Sequence, residues 1–133
     1  MTFVDTDAFL ARYVAADQHH RAAQRTWKKL GRTKQRLFTS SFVLDELVTL
    51  LGRRAGHAFA AERARRIYAS PRLEILRPTR AGELAALDLF ERYAASQVSF
   101  TDCVSFALMK QARIRRAFTF DRHFVLAGFD TIG

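Results

Sequence analysis

Residues 2–7, Thr2-Phe3-Val4-Asp5-Thr6-Asp7, join a short apolar run to two carboxylates at the start of a helix expected over about residues 7–14. An apolar run of this length, without polar alternation, reads as a strand buried on both faces. Two other places echo the pattern. Ala117-Phe118-Thr119-Phe120 ends on Asp121, and Leu37-Phe38-Thr39 leads into a helix that carries Glu46. Each strand candidate is followed by helical spacing. Ala22, Ala23, Trp27 and Leu30 mark a helix over residues 19–30, with Gly31 as its expected stop. Val43, Leu44, Leu47, Val48 and Leu51 mark another over 42–54, capped by Ser40 or Ser41.

Further along, Gly56 separates that helix from one over 57–69. Leu73-Glu74-Ile75-Leu76 alternates and reads as a strand, suited to an edge. A helix follows from Pro78-Thr79 to about residue 95. Ser99-Phe100-Thr101-Asp102 resembles a capping box that opens a helix to about residue 112. A short helix over 123–127 and a last strand over 129–132 complete the chain. Alternating strands and helices predict an α/β fold with a mainly parallel sheet covered on both faces.

Length and composition narrow the class. At 133 residues the chain is expected to be one domain with a core of its own, and twelve Phe supply much of that core. No apolar run is long enough to span a membrane. No basic stretch followed by an apolar signal segment is seen, so secretion is not expected. The single cysteine, Cys103, excludes an internal disulfide and a thiolate zinc cluster, and fits a reducing cytoplasm. The net charge of +9 predicts an acidic partner, nucleic acid above all. Its densest part is residues 21–36, where Arg21, Arg25, Lys28, Lys29, Arg32, Lys34 and Arg36 meet no acid.

Against that basic background, Asp5, Glu46, Asp102 and Asp121 stand out. Strand C-termini and helix N-termini share one rim of an open α/β sheet, and that rim is where ligands bind. Asp5 and Asp121 end strand candidates; Asp102 and Glu46 lie in the first turns of helices. Several carboxylates on one rim repel one another unless a divalent cation neutralises them, so metal chemistry is expected there. Each acid also has a plain structural explanation, helix capping or a first-turn position favoured by the dipole. Asp7 is placed to help hold the cation or its waters. Glu46, flanked by apolar Phe42, Val43 and Leu50, is read as the inward acid and Asp45 as the solvated one, with an exchange of the two roles as the alternative. The hydroxyls of Thr6, Thr39, Ser40 and Thr101 can orient carboxylates or water. His19, His20 and His57 are read as surface residues, His123 as a packing or capping residue near the rim, and Cys103 as small packing.

The acids in this order and context resemble the PIN-domain nucleases, in particular VapC-type toxins of prokaryotic toxin–antitoxin pairs. The stretches that carry the resemblance are Phe3-Val4-Asp5-Thr6, Ser40-Ser41-Phe42-Val43-Leu44-Asp45-Glu46-Leu47, Ser99-Phe100-Thr101-Asp102-Cys103-Val104-Ser105-Phe106 and Phe118-Thr119-Phe120-Asp121-Arg122-His123-Phe124. The resemblance implies a three-layer α/β/α sandwich, a single nuclease domain over 1–133, and Mg²⁺- or Mn²⁺-dependent RNA hydrolysis. It maps metal ligation onto Asp5 and Asp102 first, with Glu46 and Asp121 completing the cluster. It further implies a homodimer, a cognate antitoxin that covers the site, and an RNA substrate, with tRNA as one class. Asp7 departs from the family, which often has Ser or Asn there. RNA contacts are expected from Arg21, Arg25, Lys28, Lys29 and Arg122.

Two alternatives compete. Asp5-Thr6-Asp7 has the Asp-x-Asp form of a haloacid-dehalogenase-type phosphatase, with Asp5 as nucleophile, although Phe9 departs from that pattern. A non-catalytic RNA- or protein-binding module, its acids merely capping helices, is the other.

Overall fold

The computed structural model describes residues 1–133. Five short strands form one parallel sheet: β1 (Thr2–Val4), β2 (Leu37–Ser40), β3 (Leu73–Leu76), β4 (Arg116–Phe118) and β5 (Asp130–Ile132), in the order β3-β2-β1-β4-β5. The register pairs Phe3 with Phe38 on one side and with Ala117 on the other. Seven helices cover it: α1 (Thr6–Tyr13), α2 (His20–Arg32), α3 (Ser41–Ala55), α4 (His57–Ala69), α5 (Arg80–Arg92), α6 (Phe100–Gln111) and α7 (His123–Leu126). A 3₁₀ turn, Ala94–Ser96, ends the region after α5. Right-handed crossovers put α1 to α4 on one face and α5 to α7 on the other, which is the expected α/β/α sandwich.

Core packing agrees with this layering. Trp27 of α2 lies against Phe9 of α1 and Phe118 of β4, with ring centroids 5.3 and 5.2 Å apart, and its Nε1–H donates to Ala8 O. On the opposite layer Phe106 of α6 meets Phe124 edge-on at 5.0 Å and Phe129 at 5.6 Å. Phe3, Val4, Ala117 and Phe118 are fully buried, as double-sided coverage of central strands requires.

The strand order explains where a ligand can bind. From β1 the chain moves one way to β2 and β3, then returns across the sheet to β4 and β5. The direction therefore reverses between β1 and β4, and the crevice of such a sheet opens beyond the strand ends at that switch point.

Some expected boundaries move. Gly31 does not stop α2, which runs to Arg32. The Arg72 guanidinium donates to Leu30 O, Gly31 O and Thr33 O at 3.2, 3.4 and 2.8 Å, satisfying the end of the helix from outside. β4 ends at Phe118, two residues earlier than expected, because Thr119 turns the chain by accepting the Asp121 N–H on its hydroxyl at 3.0 Å. Val48, expected on the apolar side of α3, is exposed. β3 does lie at an edge, and Gly56 separates α3 from α4 with a φ of 94°, a left-handed conformation that favours glycine.

Candidate active site

The site is built outward from β1. Asp5 follows that strand and occupies the N-cap position of α1, yet its side chain makes no capping bond. Oδ2 instead accepts from Thr119 Oγ1 at 2.9 Å, while Oδ1 is buried without a partner. Thr39 Oγ1 donates to Val4 O at 2.8 Å and fixes the backbone just before the acid. Asp7, on the first turn of α1, accepts the Phe120 N–H on Oδ2 at 3.0 Å; its Oδ1 is also unpartnered.

The other acids arrive from α3, α6 and the segment after β4. The cap of α6 is Ser99, whose Oγ accepts the Asp102 N–H at 3.1 Å. Only this half of the capping box forms, and the Asp102 carboxylate faces the cleft. Glu46 reaches the same cleft from α3, whereas Asp45 is exposed. Asp121 Oδ1 accepts the His123 N–H at 2.8 Å. The resulting cleft of about 340 Å³ is walled by Asp5, Asp7, Glu46, Asp102 and Asp121 with Thr6 and His123, and no lysine or arginine lines it.

Burial and mutual repulsion hold the acids in an unusual electrostatic state. Asp102, only 7% exposed, is pushed up to about 9, first by burial and then by the charge of Asp5 and the closeness of Asp121. Asp5 is raised well above the ordinary carboxylate range by burial and by Asp7. Asp7 rises to about 6 through burial, opposed by its bond from the Phe120 N–H. No lysine or arginine in the pocket balances these acids. Its donors are hard oxygens, two of them carboxylate oxygens buried without partners, and a divalent cation fits that set.

Not every expected residue joins the cleft. Thr101 sits in the first turn of α6, and its carbonyl accepts from Ser105 Oγ at 3.1 Å, but its side chain is not on the cleft wall. Ser40 caps α3 through the Val43 N–H at 3.0 Å. Arg21, Arg25, Lys28 and Lys29 are exposed along α2, and Arg122 is exposed beside Asp121. His19 is not a free surface residue; its ring stacks on Phe120 at 4.3 Å. Nor is His20, whose Nδ1 lies 2.7 Å from Ala11 O. Cys103 is fully buried, as its small size allows.

Thr119, which bonds Asp5 without lining the cleft, and the place of His123 on the cleft wall escaped the sequence reading. Thr119 looked like an ordinary strand residue, and its hydroxyl within an apolar run, two residues before an acid, was the available signal. His123 was expected to pack or cap. It is instead a partly buried cleft residue, with Nδ1 3.2 Å from Asp121 Oδ1 and 3.9 Å from Asp102 Oδ2.

The profile of the PIN domain family matches residues 2–130, nearly the whole sheet and every acid of the cleft. The chain belongs to the PIN domain family. It is similar to the 23S rRNA-specific endonuclease VapC20 of Mycobacterium tuberculosis, 37% identical over 129 residues that make up 97% of this chain and 95% of that protein. Among solved structures it resembles VapC20 from the same organism, described as a Sarcin-Ricin loop cleaving toxin. The TM-score is 0.88 with 36% identity, covering 97% of this chain and 96% of the other. A toxin–antitoxin complex from Klebsiella pneumoniae matches with a TM-score of 0.68 and 10% identity, over 100% of this chain and 97% of that one, a likeness of fold alone. PIN-domain membership displaces the phosphatase alternative and bears out the resemblance read from the four acidic stretches.

Proposed function

We propose that this PIN-domain endoribonuclease is the toxin of a toxin–antitoxin pair and cuts ribosomal RNA at an exposed loop, using a divalent cation held by Asp5 and Asp102 with Glu46 and Asp121. Ribonuclease activity follows from family membership together with a 37% identical endonuclease relative matched along nearly the full length of both chains. The observation that carries the metal assignment is the convergence of these acids in one cleft that contains no lysine or arginine.

When bound, the cation supplies neutralising charge for the phosphate and a more acidic water for in-line attack at phosphorus; Mg²⁺ and Mn²⁺ suit the oxygen-rich donors. The protein supplies position. Thr119 orients Asp5, the Phe120 N–H orients Asp7, and the backbone N–H of His123 orients Asp121. Ser99 caps α6, leaving the Asp102 carboxylate unspent. The acidic cleft itself repels RNA, and the exposed cations of α2, with Arg122, attract its backbone.

The VapC20 relatives favour ribosomal RNA over tRNA as the substrate class, and such a substrate fits a cytoplasmic enzyme. Residues 1–133 are taken as one nuclease domain. A separate groove of about 680 Å³ between α1, α2 and α4 is walled by Phe9, Tyr13, Trp27 and Phe59 with Arg12 and Arg63. It suits an antitoxin segment that carries apolar anchors and acidic residues. The exposed Leu84, Leu87 and Phe90 of α5 offer an apolar surface to a second copy of the chain.

The test is incubation of the purified protein with intact ribosomes and with total tRNA, each with Mg²⁺, with Mn²⁺ or with EDTA, followed by primer extension. A single cut in 23S rRNA that EDTA abolishes is expected. Cation-independent cutting would reject the metal mechanism, and cutting confined to tRNA would reject the substrate.

A further inference from the structure

We propose that His123 supplies a nitrogen ligand to the cation held by Asp102 and Asp121, so that the site prefers Mn²⁺ to Mg²⁺. The proposal rests on the metal-nuclease reading above and adds a donor outside its acidic set. Asp102, Asp121 and His123 each offer one ligand atom, and these lie within 4.8 Å of one another. Around an octahedral ion with bonds of ~2.1 Å, neighbouring ligand atoms stand ~3.0 Å apart and opposite ones ~4.2 Å. The Nδ1 separations of 3.2 Å from Asp121 Oδ1 and 3.9 Å from Asp102 Oδ2 fall at or between those values.

The placement is also fixed in advance. The His123 N–H bonds Asp121 Oδ1, so the two side chains are held in relation to each other before any ion arrives. Independent of this trio, the cleft contains buried polar atoms with no protein partner. Thr6, 4% exposed, leaves Oγ1 unpartnered, and Asp5, 3% exposed, leaves Oδ1 so. Both residues line the same cleft. Mn²⁺ is the weakest nitrogen binder of the first-row transition ions, but it accepts an imidazole more readily than Mg²⁺, which keeps to oxygen donors and water. A single nitrogen donor among carboxylates therefore biases the choice of ion.

Pulsed electron paramagnetic resonance of the Mn²⁺-loaded protein reads directly bound nitrogen. The wild-type protein, labelled with ¹⁵N-histidine, is expected to show a ¹⁵N coupling in place of the ¹⁴N one. His123 is the only histidine on the cleft wall, so the labelled wild type carries the test even if a variant fails to fold. In His123→Ala, and equally in His123→Gln, the coupling should vanish. Calorimetric titration should then show Mn²⁺ affinity lower by about tenfold or more and Mg²⁺ affinity changed by less than about threefold. A Mn²⁺ signal free of nitrogen coupling, yet lost in Asp102→Asn, overturns the role of His123 alone. So does an equal loss of affinity for both ions. If the wild type binds no Mn²⁺, or binds it unaffected by Asp102→Asn, the metal-nuclease reading falls and this inference falls with it.

Discussion

Thr119 Oγ1 donates to Asp5 Oδ2 at 2.9 Å across the seam between β1 and β4. The same hydroxyl accepts the Asp121 N–H at 3.0 Å, so one side chain ties together acids that are 116 positions apart in sequence (121 − 5). Thr119→Val removes both bonds while keeping shape. It should lower cleavage by about 10- to 100-fold and reduce stability by about 1–2 kcal/mol, since the Asp121 N–H loses its acceptor. Thr119→Ser should restore most of both. Single-turnover cleavage and urea denaturation measure the two effects, and an unaltered rate in Thr119→Val would show that the tie is dispensable.

The raised acids make metal-free stability depend on pH in a defined direction. The folded protein retains protons on Asp102 up to about pH 9, and on Asp7 up to about 6, where an unfolded carboxylate with its value of 3.8 has already released them. Their contribution is fully present below about pH 4 and is lost as pH rises through the folded values. In EDTA, Tm should therefore fall between pH 5.5 and 9. Added Mn²⁺ should raise Tm more at pH 8.5 than at 5.5, because protons compete with the ion at the lower pH. Differential scanning calorimetry at matched ionic strength decides it. A metal-induced shift that is larger at pH 5.5 would contradict the placement of these charges.

Much of the fold could be read from the chain because its elements are locally consistent. Short, fully apolar runs such as Phe3-Val4 and Ala117-Phe118 belong to central strands, and the helical spacing of α3 and α6 is regular. Gly31 misled because its helix is finished by Arg72, about forty residues away, and no local signal reports a distant guanidinium. The acids of the cleft were legible because each lies at a strand end or a helix start. Thr119 was not, since its bond to Asp5 depends on β1 and β4 being neighbours, nor was His123, whose ring meets Asp102 only once α6 is packed beside the segment after β4.

Arg21, Arg25, Lys28 and Lys29 lie exposed on α2, away from the cleft wall. Changing all four to Gln should weaken RNA binding and flatten the dependence of log K on log salt by about 0.7 for each phosphate no longer neutralised. The rate at saturating RNA should change little. Filter binding across a salt series gives the slope; an unchanged slope would remove α2 from the RNA interface.

The groove beside α1 has a counterpart test. Arg63 lies over the rings of Phe59 and Tyr13 at 5.0 and 5.6 Å, and its Nε, buried without a hydrogen bond, stands 3.7 Å from Glu62 Oε2. Arg63→Glu should weaken the complex with the antitoxin by about tenfold or more through charge reversal at a partly desolvated site, while free-toxin cleavage persists. Calorimetry on the purified pair measures it, and undiminished affinity would place the antitoxin elsewhere.

The central claim is that Asp5 and Asp102 act together as the core of one cation-dependent cutting site. Its most direct test is ribosomal RNA cleavage by Asp5→Asn and Asp102→Asn, beside the wild type, with circular dichroism confirming the fold. Both variants should retain the fold and lose at least about 10³-fold in rate; full activity in either would contradict the account.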